Sequence, residues 1–171
     1  MNFFVAALPR SRTAWLSAFL SQSGKYCHHD GFNGCHSIAD YIEKIGDGGD
    51  ASTGLQQYNI NELYPDAPVV VIEKNERELL DCIDWANKTY GGDFTKEIRR
   101  QQSLLNNING LRIKQSHIDS NLRLIFEHLT GCQWHDKYAN MKELNIQVAN
   151  PHHIDMEAAH NLAIDYITNR I

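Results

Sequence analysis

The chain has 171 residues, 42% hydrophobic and 22% charged, a balance that argues against a disordered chain and fits one globular domain, residues 1–171. Its formal charge of −5 gives a polyanion no overall attraction, so nucleic acid is not an expected partner. No apolar stretch approaches the roughly 20 residues that cross a bilayer, and Phe3-Phe4-Val5-Ala6-Ala7-Leu8 lacks the basic flank of a signal peptide, which points to the cytoplasm and no membrane partner.

Phe3 to Leu8 reads as a first buried strand. After the Ser11–Thr13 turn, Trp15, Leu16, Phe19 and Leu20 recur at helical spacing, giving strand, loop and helix in succession. Gly24 to His29 is a second strand, and a loop rich in Gly and His follows it. Ser37 and Asp40 then fit the cap of a helix whose face is Ile38, Tyr41, Ile42 and Ile45. Gly46 to Gly54, like Tyr90 to Asp93, reads as a connecting loop flexible enough to border a substrate crevice. Pro68-Val69-Val70-Val71-Ile72 is short, β-branched and preceded by turn-forming Pro65-Asp66, the pattern of a fully buried strand. It runs into a helix capped by Asn75 with Glu78, with Leu79, Leu80 and Ile83 as its buried stripe. Phe94 to Ile108 predicts a helix closed by Gly110, and Leu111-Arg112-Ile113 begins a last strand. Asp119 is the expected cap of the next helix, with Leu122, Ile125, Phe126 and Leu129 on one face and Gly131 after its last turn. A final helix is expected from about Asp155, burying Ala159, Leu162, Ala163, Tyr166 and Ile167. Strands alternating with helices predict an α/β protein with a mostly parallel sheet between two helical layers. Cys27, Cys35, Cys82 and Cys132 show no C-x-x-C spacing and are expected as reduced thiols.

A loop that leaves a buried strand and enters a helix turns unpaired backbone N–H groups and the positive end of the helix dipole toward one place, which suits an anion. Pro9-Arg10-Ser11-Arg12-Thr13-Ala14-Trp15 adds two guanidinium groups and two hydroxyls there. The ATP-binding pattern G-x-x-x-x-G-K-[ST] is absent, since Gly24-Lys25 is followed by Tyr26 without the earlier glycine.

What Pro9-Arg10-Ser11-Arg12-Thr13-Ala14-Trp15-Leu16 resembles is the 5′-phosphosulfate loop of sulfotransferases, P-[KR]-S-G-T-[ST]-W-L, matching six of its eight positions. Arg12 stands where the family has Gly, and Ala14 where it has a hydroxyl. Val71-Ile72-Glu73-Lys74-Asn75-Glu76-Arg77-Glu78 resembles the second family segment, V-I-x-R-N-P-[KR]-D, with Cys82 in the place of its Ser. Leu124 to Trp134 resembles the family's helix ending in F-L-G-L-P-[FW], with Thr130 inserted. The resemblance spans about Pro9 to Trp134 and implies the P-loop nucleoside triphosphate hydrolase-like fold of sulfotransferases. Short members of this type occur in phage and prophage genomes, so a prophage origin is implied as well.

The implied reaction moves a sulfuryl group from 3′-phosphoadenosine 5′-phosphosulfate to an acceptor hydroxyl or amine, releasing adenosine 3′,5′-bisphosphate. On that resemblance, Pro9 to Trp15 hold the 5′ side of the donor, with Lys74 and Cys82 at its 3′-phosphate. The family's base is His or Glu, often near the end of the second strand, where Cys27-His28-His29-Asp30 lies. His28 and His29 are both candidates, and strand alternation allows only one to face the crevice. Two other readings of the loop are a nucleotide-dependent phosphotransferase and a noncatalytic nucleotide-binding module. Cys27, His28, His29, Cys35 and His36 match no common zinc spacing, and no metal is expected there. The acceptor is not named by the sequence.

Overall fold

Five short segments pair side by side in one parallel sheet: β1 (Phe3–Ala6), β2 (Cys27–His29), β3 (Gly49–Ser52), β4 (Val69–Glu73) and β5 (Leu111–Lys114), in the order β2-β3-β1-β4-β5. The computed structural model describes residues 1–144 and Ile146, so the helix expected from Asp155 lies outside the described residues. β1 is central, pairing Phe3 with Gly49 on one side and Phe4 with Val69 on the other. Every β1 side chain is buried, as a strand covered on both faces requires.

The alternation of β1 sorts the core into two halves. Phe3 and Val5 point into a cluster with Trp15, Leu16 and Phe19 of α1 (Thr13–Ser21) and Ile125, Phe126 and Leu129 of α6 (Leu122–Thr130). Phe4 and Ala6 point into the opposite cluster, with Tyr41 and Ile45 of α2 (Ile38–Ile45), Ile60 of the short α3 (Ile60–Leu63), Leu79 and Ile83 of α4 (Glu76–Tyr90), and Ile98 and Leu105 of α5 (Thr95–Leu105). Helices therefore cover both faces. The connection from β1 to β2 runs over one face and those from β2 onward over the other, which places a switch point at the carboxyl end of β1.

The caps of α2 and α4 form as their residues dictate. Ser37 Oγ accepts from Asp40 N–H at 3.1 Å, and Asn75 with Glu78 makes a full capping box. Gly131 ends α6 in the left-handed conformation, with φ 67°.

Four sequence expectations need correction. Gly49–Ser52, read as loop, is strand β3. Its residues carry no β-branched side chain, but the Phe3 ring occupies the space where a Cβ on Gly49 would sit, only 2.2 Å from Phe3 Cε2. Leu80, placed in the buried stripe of α4, is half exposed, because the buried positions Leu79, Cys82, Ile83 and Ala86 follow the three- and four-residue spacing that leaves Leu80 to one side. Gly110 does not close α5, which ends at Leu105 with Asn106 as its C-cap. It passes so close to the Val69 carbonyl that a Cβ would lie 2.6 Å from that oxygen. Asp119 does not cap α6. Asn121 holds the N-cap position without a side-chain bond, and Asp119 pairs with Arg12 instead.

Candidate functional site

The chain segments that leave β1, β2, β3 and β5 surround one cavity of about 740 Å³ at the carboxyl edge of the sheet, within the usual range for small-molecule sites. β1 delivers Pro9, Arg10, Arg12, Thr13 and Ala14. β2 delivers His29 and Asp30, β3 delivers Ser52, Thr53 and Gly54, and β5 delivers Gln115.

Between β1 and α1 the backbone makes two left-handed steps, at Arg10 (φ 64°) and Arg12 (φ 61°). Left-handed residues on either side of Ser11 are the kind of backbone pattern from which anion-binding concavities of N–H groups are built. The N-cap residue of α1, Arg12, makes no side-chain capping hydrogen bond. Arg12 thus adopts the backbone form that glycine, the residue in the family pattern, takes without steric cost. Two contacts fix it there: a 2.7 Å ion pair with Asp119 and a guanidinium 4.4 Å above the Trp15 ring. Trp15 itself is buried away from the cavity, stacked on Phe19 with its indole N–H donating to the Met141 carbonyl at 2.9 Å. Arg10 is exposed at the cavity wall, and no ion pair engages it among the described residues.

Beneath the loop, Ser11 is fully buried and donates to Gln115 Oε1 at 3.3 Å. Lys74, also buried, donates from Nζ to the same oxygen and to the Arg10 carbonyl at 3.2 Å. The Lys74 residue lines a separate hollow of about 230 Å³ with Arg112 and Gln102 and is not among the residues that line the main cavity. Burial pulls the Lys74 pKa down and pushes that of the nearby Cys82 thiol up. Cys82 is inside the core and does not line the cavity.

The two histidines part company. His29 lines the cavity with Nε2 3.1 Å from Thr13 Oγ1 and 3.6 Å from Asp30 Oδ2. His28 points the other way, its ring edge-on to Tyr26 with centroids 4.6 Å apart. Burial lowers the His29 pKa from its ordinary 6.5, with Asp30 opposing the shift. Asp30 is left-handed at φ 48°, and its Oδ1 accepts from the backbone and hydroxyl of Thr53 at 2.9 and 3.2 Å.

Away from the loop the cavity wall is aromatic and amide-rich. Phe32 is sandwiched between Tyr41 and Tyr58, with ring centroids 3.6 and 3.7 Å apart, and so holds Tyr58 in place. Trp85 and Tyr90 of α4 form another part of the wall, and Asn33, Gln57 and Thr89 carry its polar groups. The Phe32 segment is anchored underneath by Asp50, whose carboxylate accepts from Gly31 N–H and Tyr41 O–H, both at 3.0 Å. Burial pushes the Asp50 pKa up to about 7.

Comparison with protein-family models and with curated proteins finds no match to this chain.

Gln115, Asp30 and, apart from Tyr90, the aromatic wall are cavity groups that the sequence did not single out. Asp30 adjoins the histidine pair and Tyr90 adjoins a glycine-rich turn, which are weak signals. Gln115 carries none, because its importance arises only from pairing with residues 41 and 104 positions away. Among the described residues, no group of three or more His, Cys, Asp or Glu is placed to hold a metal ion, and no helix is long and apolar enough to cross a membrane.

Proposed function

We propose that this chain is a sulfotransferase-like enzyme of P-loop nucleotide-binding architecture, which moves a sulfuryl group from 3′-phosphoadenosine 5′-phosphosulfate to a hydroxyl or amine. The observation that carries the reading is the meeting, in one cavity, of the strand-to-helix loop with a histidine 3.1 Å from the loop's Thr13 hydroxyl. Sulfuryl transfer, like phosphoryl transfer, needs its anion held and its acceptor proton taken, and those two parts are adjacent here.

Arg10, Thr13 and the backbone N–H groups around Arg12 hold the phosphosulfate. An acceptor hydroxyl beside Thr13 meets His29 Nε2, which takes its proton as the acceptor oxygen forms a bond to sulfur. The bond from sulfur to the bridging oxygen breaks with its electron pair, and adenosine 3′,5′-bisphosphate departs with its charge met by Arg10 and the loop. His29 suits the base role because burial keeps it neutral near pH 7, while Asp30 lies close enough to stabilise the imidazolium that results. Lys74 contributes positive charge from beneath the loop. Phe32, Asn33, Gln57, Tyr58, Trp85, Thr89 and Tyr90 would receive the acceptor, and a wall of rings, amides and hydroxyls without a charged side chain suits a neutral ring compound.

The test is transfer of radiolabelled sulfuryl groups from the donor to a panel of phenols, glycosides and nucleosides. The reading predicts product with the parent and at least about a hundredfold slower transfer by His29→Ala, the usual scale of general-base loss. Metal-dependent phosphoryl transfer from ATP with no sulfuryl transfer would replace it by the phosphotransferase. Donor binding without transfer to any member would replace it by a nucleotide-binding module.

A further inference from the structure

We propose that Gln115 is a direct ligand to the bound anion and that Lys74 is the positioning residue that aims it. The inference rests on the anion-loop reading above and adds two roles to it.

A carboxamide presents an acceptor on one side and two donors on the other, and its neighbours decide which way round it sits. Lys74 settles the matter for Gln115. An ammonium only donates, so the atom facing Nζ must be the oxygen, and Ser11 Oγ donates to that same oxygen at 3.3 Å. Both donors lie beneath the loop, and both belong to buried residues. The amide nitrogen is thereby turned away from them. Gln115 lines the main cavity, and among the described residues its side-chain hydrogen bonds are the two at Oε1, with none at Nε2.

The arrangement also explains how Lys74 acts without reaching the cavity. Its Nζ is engaged by the Arg10 carbonyl and by Gln115, so one buried cation fixes both the backbone of the anion loop and the orientation of a neutral donor opposite it. Charge on the acceptor oxygen's partner polarises the carboxamide and makes its N–H groups better donors to an anion, the cooperative strengthening expected of a hydrogen-bond chain in a low-dielectric setting. The ligand class is a phosphate or sulfate oxygen of the nucleotide.

The decisive variant is Gln115→Glu. It keeps an acceptor for Lys74 and Ser11, so the support under the loop survives, but it has no N–H and adds a negative charge beside the ligand. Binding of adenosine 3′,5′-bisphosphate is measured by calorimetry, and the side-chain amide signal of Gln115, assigned by its absence from Gln115→Glu, is followed by nitrogen-15 NMR. The expected results are an affinity loss of about tenfold or more for Gln115→Glu with an unchanged melting temperature, and a shift of the Gln115 amide signal as bisphosphate is added to the parent. Lys74→Met should broaden or move that signal in the ligand-free protein and weaken binding, and Lys74→Arg should restore part of it. An amide signal that bisphosphate leaves unmoved, or Gln115→Glu binding as tightly as the parent, overturns the inference while the anion site stands. A parent that binds neither bisphosphate nor inorganic sulfate overturns the anion site itself, and this role with it.

Discussion

At Arg10 stability and binding pull in opposite directions. Its left-handed backbone strains any residue with a Cβ, yet its exposed guanidinium is the loop's unpaired cation among the described residues. Arg10→Gly should therefore raise the melting temperature by a few degrees, equivalent to about 1 kcal/mol or less, while weakening bisphosphate binding. A thermal melt and a titration on the same sample check both signs. His28 and His29 make a second contrast. His28→Ala should transfer at the parent rate, because its ring packs on Tyr26 outside the cavity. The folded His29 pKa lies below 6.5, so the neutral base persists as pH falls through 6.5 and the acid limb of the transfer rate should lie below that value. A pH–rate profile with its acid limb above 6.5 would remove His29 from the base role. Alternation alone said that one of the pair faces the crevice, but not which; that depended on where β2 stops, a property of its pairing with β3.

Among the elements, β3 shows why part of the fold was hidden from the sequence. β1, β4, α1, α2, α4 and α6 announce themselves by apolar runs, periodic stripes and caps, and the structure contains each of them. β3 is Gly-Asp-Ala-Ser, and it is a strand only because distant residues complete it: Phe3 fills the place of a side chain at Gly49, and Gly31 with Tyr41 satisfies Asp50. Gly49→Ala should cost about 1–3 kcal/mol, measured by denaturant unfolding, since the new Cβ would meet the ring of the fully buried Phe3. Asp50 makes the same element pH-sensitive. Its folded pKa of about 7 lies above the ordinary 3.8, so the folded state holds a proton that the unfolded chain has released, and this group's contribution to stability declines as pH rises from about 4 to about 7. Asp50→Asn should lack that decline, so its melting temperature relative to the parent should climb across the window. A difference that stays flat would mean that the carboxyl titrates normally. The candidate site was legible in the same uneven way: the loop and the histidine pair stand in contiguous sequence, whereas Gln115, Lys74 and Ser11 meet only through the order of the strands.

For the whole molecule, the parallel order β2-β3-β1-β4-β5 does the assembling. Because the helices change face at β1, its loop is left open at the sheet edge where the ends of β2, β3 and β5 also arrive, and one cavity collects residues from positions 9 to 146. The net charge of −5 opposes an anionic ligand at long range, so attraction must come from Arg10, the loop N–H groups and the buried Lys74 nearby. The claim that this cavity is a nucleotide-donor site is tested most directly by calorimetric titration of the parent with adenosine 3′,5′-bisphosphate, ATP and adenosine. Saturable binding of the bisphosphate is expected, with weaker binding of ATP, none of adenosine, and a loss of bisphosphate affinity in Arg10→Ala. Adenosine binding as tightly as the bisphosphate, or bisphosphate affinity indifferent to Arg10→Ala, would contradict that claim.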